Sequence, residues 1–436
     1  MAAKSAPVDP VPTREECRTP DVYFTGSRIN WFRKPEDMGT SLEEAGAQTA
    51  LAELQASPDD DYLTVTLLAA GLAEILHRRS RAQQGETIEE GLLPPAWRVG
   101  FSRLWWRCAE QSCPLDWDDL RLLRWCAEPF STWPVILDLS PTDLQQTLLV
   151  DEQLSEFAEQ GARLAHVDVE AEWVERQVYE ALRSTAAANG TTKKEVEEAY
   201  AYLRRYLIDH TVITDRTVLS LEHNFRAKDS SGRTMVRGLI DVAYRSRPVS
   251  GPQRFLLCPG CHNVVNDLAP ACHTPGCLGG NPLVSVLEPL AVVYEQHRAT
   301  RLYFHDPGLV EARIIDALRD DERLAGKVRV TAYPEVDVLD VLVEFLSPGP
   351  SPVVLESWGV DAKDQVSAHL LGRGFIWPQR LPCTGRFLAL PMHRARQPQY
   401  VTDLRSELDG RVSGVVVIDE QRLLKRIRER AEELHP

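Results

Sequence analysis

From Ser41 to His210 the apolar positions recur at helical spacing. Leu63, Leu67, Leu68, Leu72, Ile75 and Leu76 fall three and four residues apart, the period of a half-buried helix. Val99, Leu104, Leu120, Leu123 and Trp125 mark further helices. The stretch Lys193–Asp209 starts behind Thr191 and Thr192, a capping pair, and carries Tyr200, Leu203 and Leu207 on one face. This half is expected to be all-α. Ahead of it, residues 1–40 are rich in proline and charge and are expected to be irregular.

The pattern changes after Asp209. Val218–His223 and Met235–Val242 run apolar or alternate over strand lengths, with Lys228-Asp-Ser-Ser-Gly-Arg233 between them, which reads as a β-hairpin. Further on, the predicted order begins with a helix near Pro307–Arg319 and three strands, Val328–Tyr333, Val341–Phe345 and Val353–Ala362. A helix Gln365–Leu371, a strand Phe387–Pro391, a helix Val401–Leu408, a strand Val412–Ile418 and a closing helix Glu420–Leu434 complete it. Interleaved strands and helices of this kind define one α/β unit. The chain is thus expected to be multidomain α+β. A helical domain spans 41–210, a small β and metal-binding module spans 211–285, and an α/β core spans 286–436.

Composition narrows the class. Hydrophobic content of 43% and charged content of 26% over 436 residues describe an ordinary globular protein. No run of eighteen apolar residues could span a membrane, and Met1–Arg14 lacks a signal-peptide core, so a cytoplasmic protein is expected. The net charge of −15 excludes a protein that coats nucleic acid through bulk charge. The field is local, however: Leu370–Pro436 holds twelve Lys and Arg against eight Asp and Glu.

Four of the nine cysteines lie within twenty residues, as Cys258-Pro-Gly-Cys261 and Cys272-His-Thr-Pro-Gly-Cys277. Two such turns folded together supply the four soft ligands of a tetrahedral zinc site, with all positions filled and none left for catalysis. Gly260 and Gly276 suit turns that curl to aim amides at sulfur. His262 and His273 flank the pairs and could replace a thiolate. Cys17, Cys108, Cys113, Cys126 and Cys383 have no partner at ligand spacing and read as core or surface thiols.

The acidic chemistry sits in Tyr333-Pro-Glu-Val-Asp-Val-Leu-Asp340, ahead of one apolar strand, and in Trp358-Gly-Val-Asp361-Ala-Lys363-Asp364, at the end of another. Residues i and i+2 of a strand share a face, so Asp361 and Lys363 project together, and Asp340 joins them if the strands are neighbours. Carboxylates hold Mg²⁺ or Mn²⁺ through hard oxygens. Such an ion lowers the pKa of a bound water and neutralises phosphate charge, and an adjacent ammonium orients that water. Asp340 and Asp361 are the expected ligands, Lys363 the water-positioning group, and Glu311 a candidate outer carboxylate. Asp337, Glu344 and Glu356 compete for the ligand roles.

This arrangement resembles the PD-(D/E)XK restriction-endonuclease-like superfamily. The segments Tyr333–Asp340 and Trp358–Asp364, with Cys258–Cys261 and Phe387–Pro391, are similar to the nucleases encoded beside pPIWI-RE proteins, prokaryotic relatives of Argonaute often found with a DinG-like helicase. The resemblance covers roughly residues 210–436. It implies a DNA nuclease of an anti-phage or anti-plasmid defence system, with Asp340, Asp361, Lys363 and Glu311 at its active site. The proline of that motif usually stands directly before its aspartate, whereas Pro334 precedes Asp340 by six residues, which leaves Asp337 and Asp340 both open.

Two basic groups have alternative explanations. Arg98, Arg103, Trp105, Trp106 and Arg107 could stack bases, though core tryptophans on an amphipathic helix explain them more simply. Arg380, Arg386, His393, Arg394 and Arg396 could grip phosphates or be solvated surface. The rival functional readings are an inactive nuclease fold acting as an adaptor, and a zinc-ribbon DNA-binding regulator. Paired cuts would favour a homodimer.

Overall fold

The computed structural model describes residues 60–83, 93–165, 169–247, 253–265, 272, 274, 276, 277, 279, 283–287, 292–378 and 380–435. The predicted irregular segment 1–40 lies outside them.

The first region is a helical bundle of α1 (Asp61–Gln83), α2 (Pro95–Glu110), α3 (Asp119–Trp125) and α4 (Glu156–Leu164). Its core takes Val65, Leu68 and Leu72 from α1, Trp97 and Leu104 from α2, Leu122 from α3 and Phe157 from α4. The region is not purely α. Between α3 and α4 the chain forms 3₁₀ turns and a minimal hairpin of β1 (Leu149–Val150) and β2 (Gln153–Leu154). Of the two tryptophans predicted to be core, Trp105 packs against the bundle core and Trp106 is 64% exposed. Arg103 and Arg107 bind Thr64 and Asp61 at the start of α1, a structural use.

Next comes a long pair, α5 (Val169–Asn189) and α6 (Lys193–Asp209). Thr192 caps α6 as expected: its hydroxyl accepts from the Glu195 amide at 3.2 Å, and the Glu195 side chain reaches back to the Thr192 amide. This pair does not join the bundle core. Val178, Leu182, Tyr200, Leu203 and Leu207 share one core with Val341, Val343, Val360 and Phe387 of the C-terminal sheet.

The predicted hairpin is a correction. After β3 (Val212–Thr214) the two segments are helices, α7 (Asp215–Asn224) and α8 (Met235–Ala243). The connecting turn forms as expected, closing at Lys228 and Thr234 with Gly232 at φ +84°, while its flanks differ. Val236, Leu239, Ile240 and Ala243 are buried at i, i+3, i+4 and i+7, and Thr214 caps α7 while Leu219 points outward, 63% exposed. Short apolar runs fit both periods, and here the helical one packs.

Beyond lie β4 (Tyr244–Arg247), then β5 (Gln253–Leu257), β6 (Val264–Val265) and β7 (Leu283–Leu287), which form a small sheet in the order β6-β5-β7. Strand β8 (Val293–Gln296) pairs with both β3 and β4.

The C-terminal unit opens with α9 (Asp306–Arg319), one residue earlier than the pattern predicted. Its sheet takes β9 (Val328–Ala332), β10 (Val341–Leu346), β11 (Val354–Ala362), β12 (Gly385–Leu390) and β13 (Val415–Asp419). The order is β13-β12-β11-β10-β9, antiparallel from β9 to β11 and parallel from β11 to β13. One face packs on α9 and on α12 (Glu420–Leu434), whose Leu423, Ile427 and Ala431 form the buried stripe. The other face packs on α10 (Ala368–Gly374) and α11 (Tyr400–Leu408) through Leu388, Leu390, Val417, Leu371 and Leu404. Helix α10 begins three residues later than predicted because Ser367 caps it. No helix among the described residues is long and apolar enough to cross a membrane.

The bundle and the C-terminal unit are joined at buried Asp143. Its carboxylate accepts from Tyr62 Oη at 2.7 Å and from Ser367 Oγ at 2.9 Å, the latter directly before α10. Val366 and Leu370 complete the bundle core from the other side. Asp143→Ala would leave two buried hydroxyls without an acceptor, so a loss of about 2–3 kcal/mol is expected in denaturant unfolding. An unchanged midpoint would refute that role.

Candidate active site

The sheet register places the predicted residues. Val341 of β10 lies opposite Val360 of β11, so Asp340, one step before β10, stands beside Asp361, one step further along β11. Lys363 follows two residues on, its amide donating to Ala389 O of β12 at 2.9 Å. The Lys363 ammonium is bonded to Asp361 Oδ1 and lies 3.7 Å from Asp340 Oδ2. Asp340 Oδ2 also accepts the Ala362 amide at 2.6 Å, which fixes the carboxylate across the strand gap. Asp340, Asp361 and Lys363 therefore form one contiguous group.

Glu311 enters from α9. It is buried, 3% exposed, and both its oxygens accept from Arg204 Nη2, at 3.2 and 3.4 Å. Burial pushes its carboxyl above the usual range; Arg204 opposes this most, Asp337 adds to it, and Lys363 also opposes it. Asp340 behaves alike. Burial pushes it well up, Lys363 opposes, and the charges of Glu311, Asp361 and Asp337 add to the rise. Burial alone would depress Lys363, but Asp340 and Asp361 outweigh it and hold the ammonium protonated.

Asp337 sits close by in a turn where Tyr333, Glu335, Val336 and Asp337 all have positive φ. Left-handed backbone at a β-branched valine is strained and needs surrounding structure to hold it. The turn carries Asp337 close to the site, where its charge adds to the rise that burial gives Tyr200 and Asp340. The other competitors lie elsewhere: Glu344 pairs with Arg329 at 3.3 Å, and Glu356 pairs with Arg430 on α12.

The group's charge suits a divalent cation. Glu311, Asp337, Asp340 and Asp361 face two fixed cations, Lys363 and Arg204, leaving two negative charges if all are ionised. The oxygens are hard donors of the kind Mg²⁺ and Mn²⁺ select. Among the described residues, no three carboxylates approach one another as closely as the four cysteines do. Between Asp340 and Asp361 stands the Lys363 ammonium.

The cysteines converge as their spacing predicted. Cys258, Cys261, Cys272 and Cys277 bring their sulfurs within 4.8 Å of one another, with Cys258–Cys277 and Cys261–Cys272 both at 3.5 Å. A tetrahedron of Zn–S bonds near 2.3 Å has sulfurs about 3.8 Å apart, so a zinc-sized ion fits. The Gly260 amide donates to Cys258 Sγ and the Gly279 amide to Cys277 Sγ, each at 3.4 Å. Burial alone would raise the Cys258 thiol, but the Cys261 and Gly260 amides outweigh it and bring it down to about 7. His262 is not part of the quartet, since its Nδ1 meets Asp209 O at 2.9 Å. His273 lies outside the described residues.

The quartet also leans on the C-terminal unit. Gly276, at φ +67°, presses its backbone on the His393 ring so closely that a Cβ would lie 1.9 Å from Nδ1. His393 Nε2 stands 3.2 Å from Asp364, the residue after Lys363. Arg394, proposed from sequence as a phosphate contact, is buried in ion pairs with Asp364 and Glu156 and is unavailable for one.

Sequence reasoning missed Arg204, Tyr333 and Tyr200. Arg204 carried a readable signal: an arginine on the apolar face set by Tyr200, Leu203 and Leu207. Tyr333 and Tyr200 gave none beyond burial.

Two family matches agree with this geometry. Residues 308–435 match the family described as "REase associating with pPIWI_RE", and residues 68–214 match "pPIWI_RE three-gene island domain Y". No curated protein and no solved structure matches the chain. The C-terminal unit is thus similar to restriction-endonuclease-like domains associated with pPIWI-RE modules, and the region before it is similar to domain Y of the pPIWI-RE three-gene island. Glu311, Asp340, Asp361 and Lys363 fall in the first match, and Arg204 falls in the second.

Proposed function

We propose that this chain is a metal-dependent endonuclease that hydrolyses DNA phosphodiester bonds, acting in an anti-phage or anti-plasmid defence system. Its partners on this reading are DNA, a PIWI-like protein and a DinG-like helicase, with a homodimer where paired cuts are made. The observation that carries it is the contact group Asp340–Lys363–Asp361 across β10 and β11 of a domain matched to restriction endonucleases.

Mg²⁺ or Mn²⁺, when bound, would supply an acidified water and neutralise phosphate charge. Asp340 and Asp361 would hold it, with Glu311 as the outer carboxylate. Lys363 would hold the attacking water against the phosphorus and offset the charge that develops on the phosphoryl oxygens. Asp340 is kept in register by the Ala362 amide. The cysteine quartet would carry a structural zinc, stiffening the turn that abuts His393.

The test is cleavage of supercoiled plasmid with Mg²⁺ or Mn²⁺, in the presence of the proteins encoded alongside. Asp361→Ala should cut at least about 10³-fold more slowly than wild type. If wild type cuts no faster than the variant, the adaptor reading takes its place.

A further inference from the structure

Arg204 makes a costly contact that packing alone does not require. It lies on α6, in the region matched to domain Y, yet only 3% of it is exposed. Its guanidinium stacks 4.8 Å from the Phe304 ring centroid and 5.7 Å from that of Tyr333. One nitrogen, Nη2, serves both oxygens of Glu311, while buried Nε and Nη1 find no acceptor among the described residues. A purely structural position of this depth would be served as well by an apolar side chain of similar volume. What an apolar side chain could not do is hold a buried carboxylate in one orientation among neighbours of the same sign, Asp337 and Asp340. Side chains that orient a metal ligand matter nearly as much as the ligand itself.

We propose that Arg204 is a positioning residue of the nuclease site, holding the Glu311 carboxylate where it completes the divalent-metal site formed with Asp340 and Asp361. The helical region thereby supplies part of a working active site that lies in the next domain. Residues 308–435 then cannot bind metal normally without α6. The inference rests on the nuclease reading above.

The experiment measures Mn²⁺ binding to the full chain from the free-ion paramagnetic resonance signal, alongside plasmid nicking in Mn²⁺. Four variants are compared: Arg204→Met, Arg204→Lys, Glu311→Gln and the double variant Arg204→Met/Glu311→Gln. Arg204→Met should weaken Mn²⁺ binding about tenfold and slow nicking to match. Glu311→Gln should do the same, and the double variant should be no worse than either single one, because Arg204 acts only through Glu311. Arg204→Lys should recover part of the affinity by keeping the charge. Wild-type affinity in Arg204→Met, or additive losses in the double variant, would overturn the proposal. Should Arg204→Met fail to fold in a thermal melt, Arg204→Lys decides. A few-fold loss that vanishes in the Glu311→Gln background supports the role, and wild-type affinity overturns it. Asp361→Ala separates the two readings. If it binds Mn²⁺ and nicks like wild type, the nuclease reading itself fails. If it loses both while Arg204→Met loses neither, only this inference fails.

Discussion

Lys363→Met should slow DNA cleavage about 10²–10³-fold and at the same time tighten, not weaken, divalent-metal binding. The two effects have one cause. The Lys363 ammonium is bonded to Asp361 and lies 3.7 Å from Asp340, so in the metal-free protein it occupies the electrostatic place of the cation. Removing it leaves two carboxylates with a greater demand for positive charge, and the ion no longer has to displace a competitor. What the variant lacks is the group that orients water and offsets charge at the phosphoryl oxygens. Asp361→Ala removes a ligand and must lose metal and cleavage together, so the pair of variants separates water positioning from metal holding. The same argument predicts that Mg²⁺ raises the melting temperature of Lys363→Met more than that of wild type, since repulsion between Asp340 and Asp361 is relieved only when the ion arrives. Calorimetric titration with Ca²⁺ as a probe ion gives the affinity directly. Weaker binding in Lys363→Met, or cleavage at the wild-type rate, would remove Lys363 from this role.

The part of the site that sequence made legible is the part written in strand period. Asp361 and Lys363 share a face because they are two residues apart, and the structure puts them in contact. Asp340 follows once β10 and β11 are neighbours, because the register sets it beside Asp361. Of the two aspartates left open, Asp340 meets Ala362 and Lys363, and Asp337 lies close enough for its charge to reach Asp340 and Tyr200. Glu311 needed a packing relation between a helix and a sheet that no local pattern encodes. Arg204 was harder still, since it lies 107 residues before Glu311 and on another element. Its one local sign is a cation on the apolar stripe of an amphipathic helix, which marks the position as unusual without naming its partner.

The misread hairpin has the same root. Val236, Leu239, Ile240 and Ala243 satisfy the helical period, but Met235–Val242 also reads as a short apolar run flanked by a glycine turn. Over eight residues the two periods differ by too little for composition to decide, and the outcome depends on what the face meets. Here it meets α5 and the sheet core. Turn chemistry was correctly read because it is local: Gly232 adopts positive φ whatever flanks it.

The cysteine quartet was legible for the same local reason, and its removal carries the second large expectation. Cys261→Ser or Cys272→Ser should lower bound zinc from about one ion per chain to a small fraction of that, since a structural site needs all four thiolates. Metal binding would be linked to local folding, because the quartet packs with Val265, Leu256 and Leu309 beside the small sheet β6-β5-β7. A fall in melting temperature of about 5–10 °C is therefore expected. The effect should also reach the nuclease site. Gly276 holds His393, His393 faces Asp364, and Asp364 follows Lys363, so a loosened quartet frees the loop behind the ammonium. Cleavage by the serine variants should drop several-fold with Mg²⁺ affinity less affected, a split that loss of a catalytic ligand would not give. Cys383→Ser and Cys113→Ser serve as controls, because both thiols lie outside the quartet and should leave zinc content unchanged. Elemental analysis of the purified chain, with melts before and after removal of zinc, reads the whole set. Wild-type protein without zinc, or serine variants that melt and cleave as wild type, would show the four cysteines to be a reduced thiol cluster and no metal site at all.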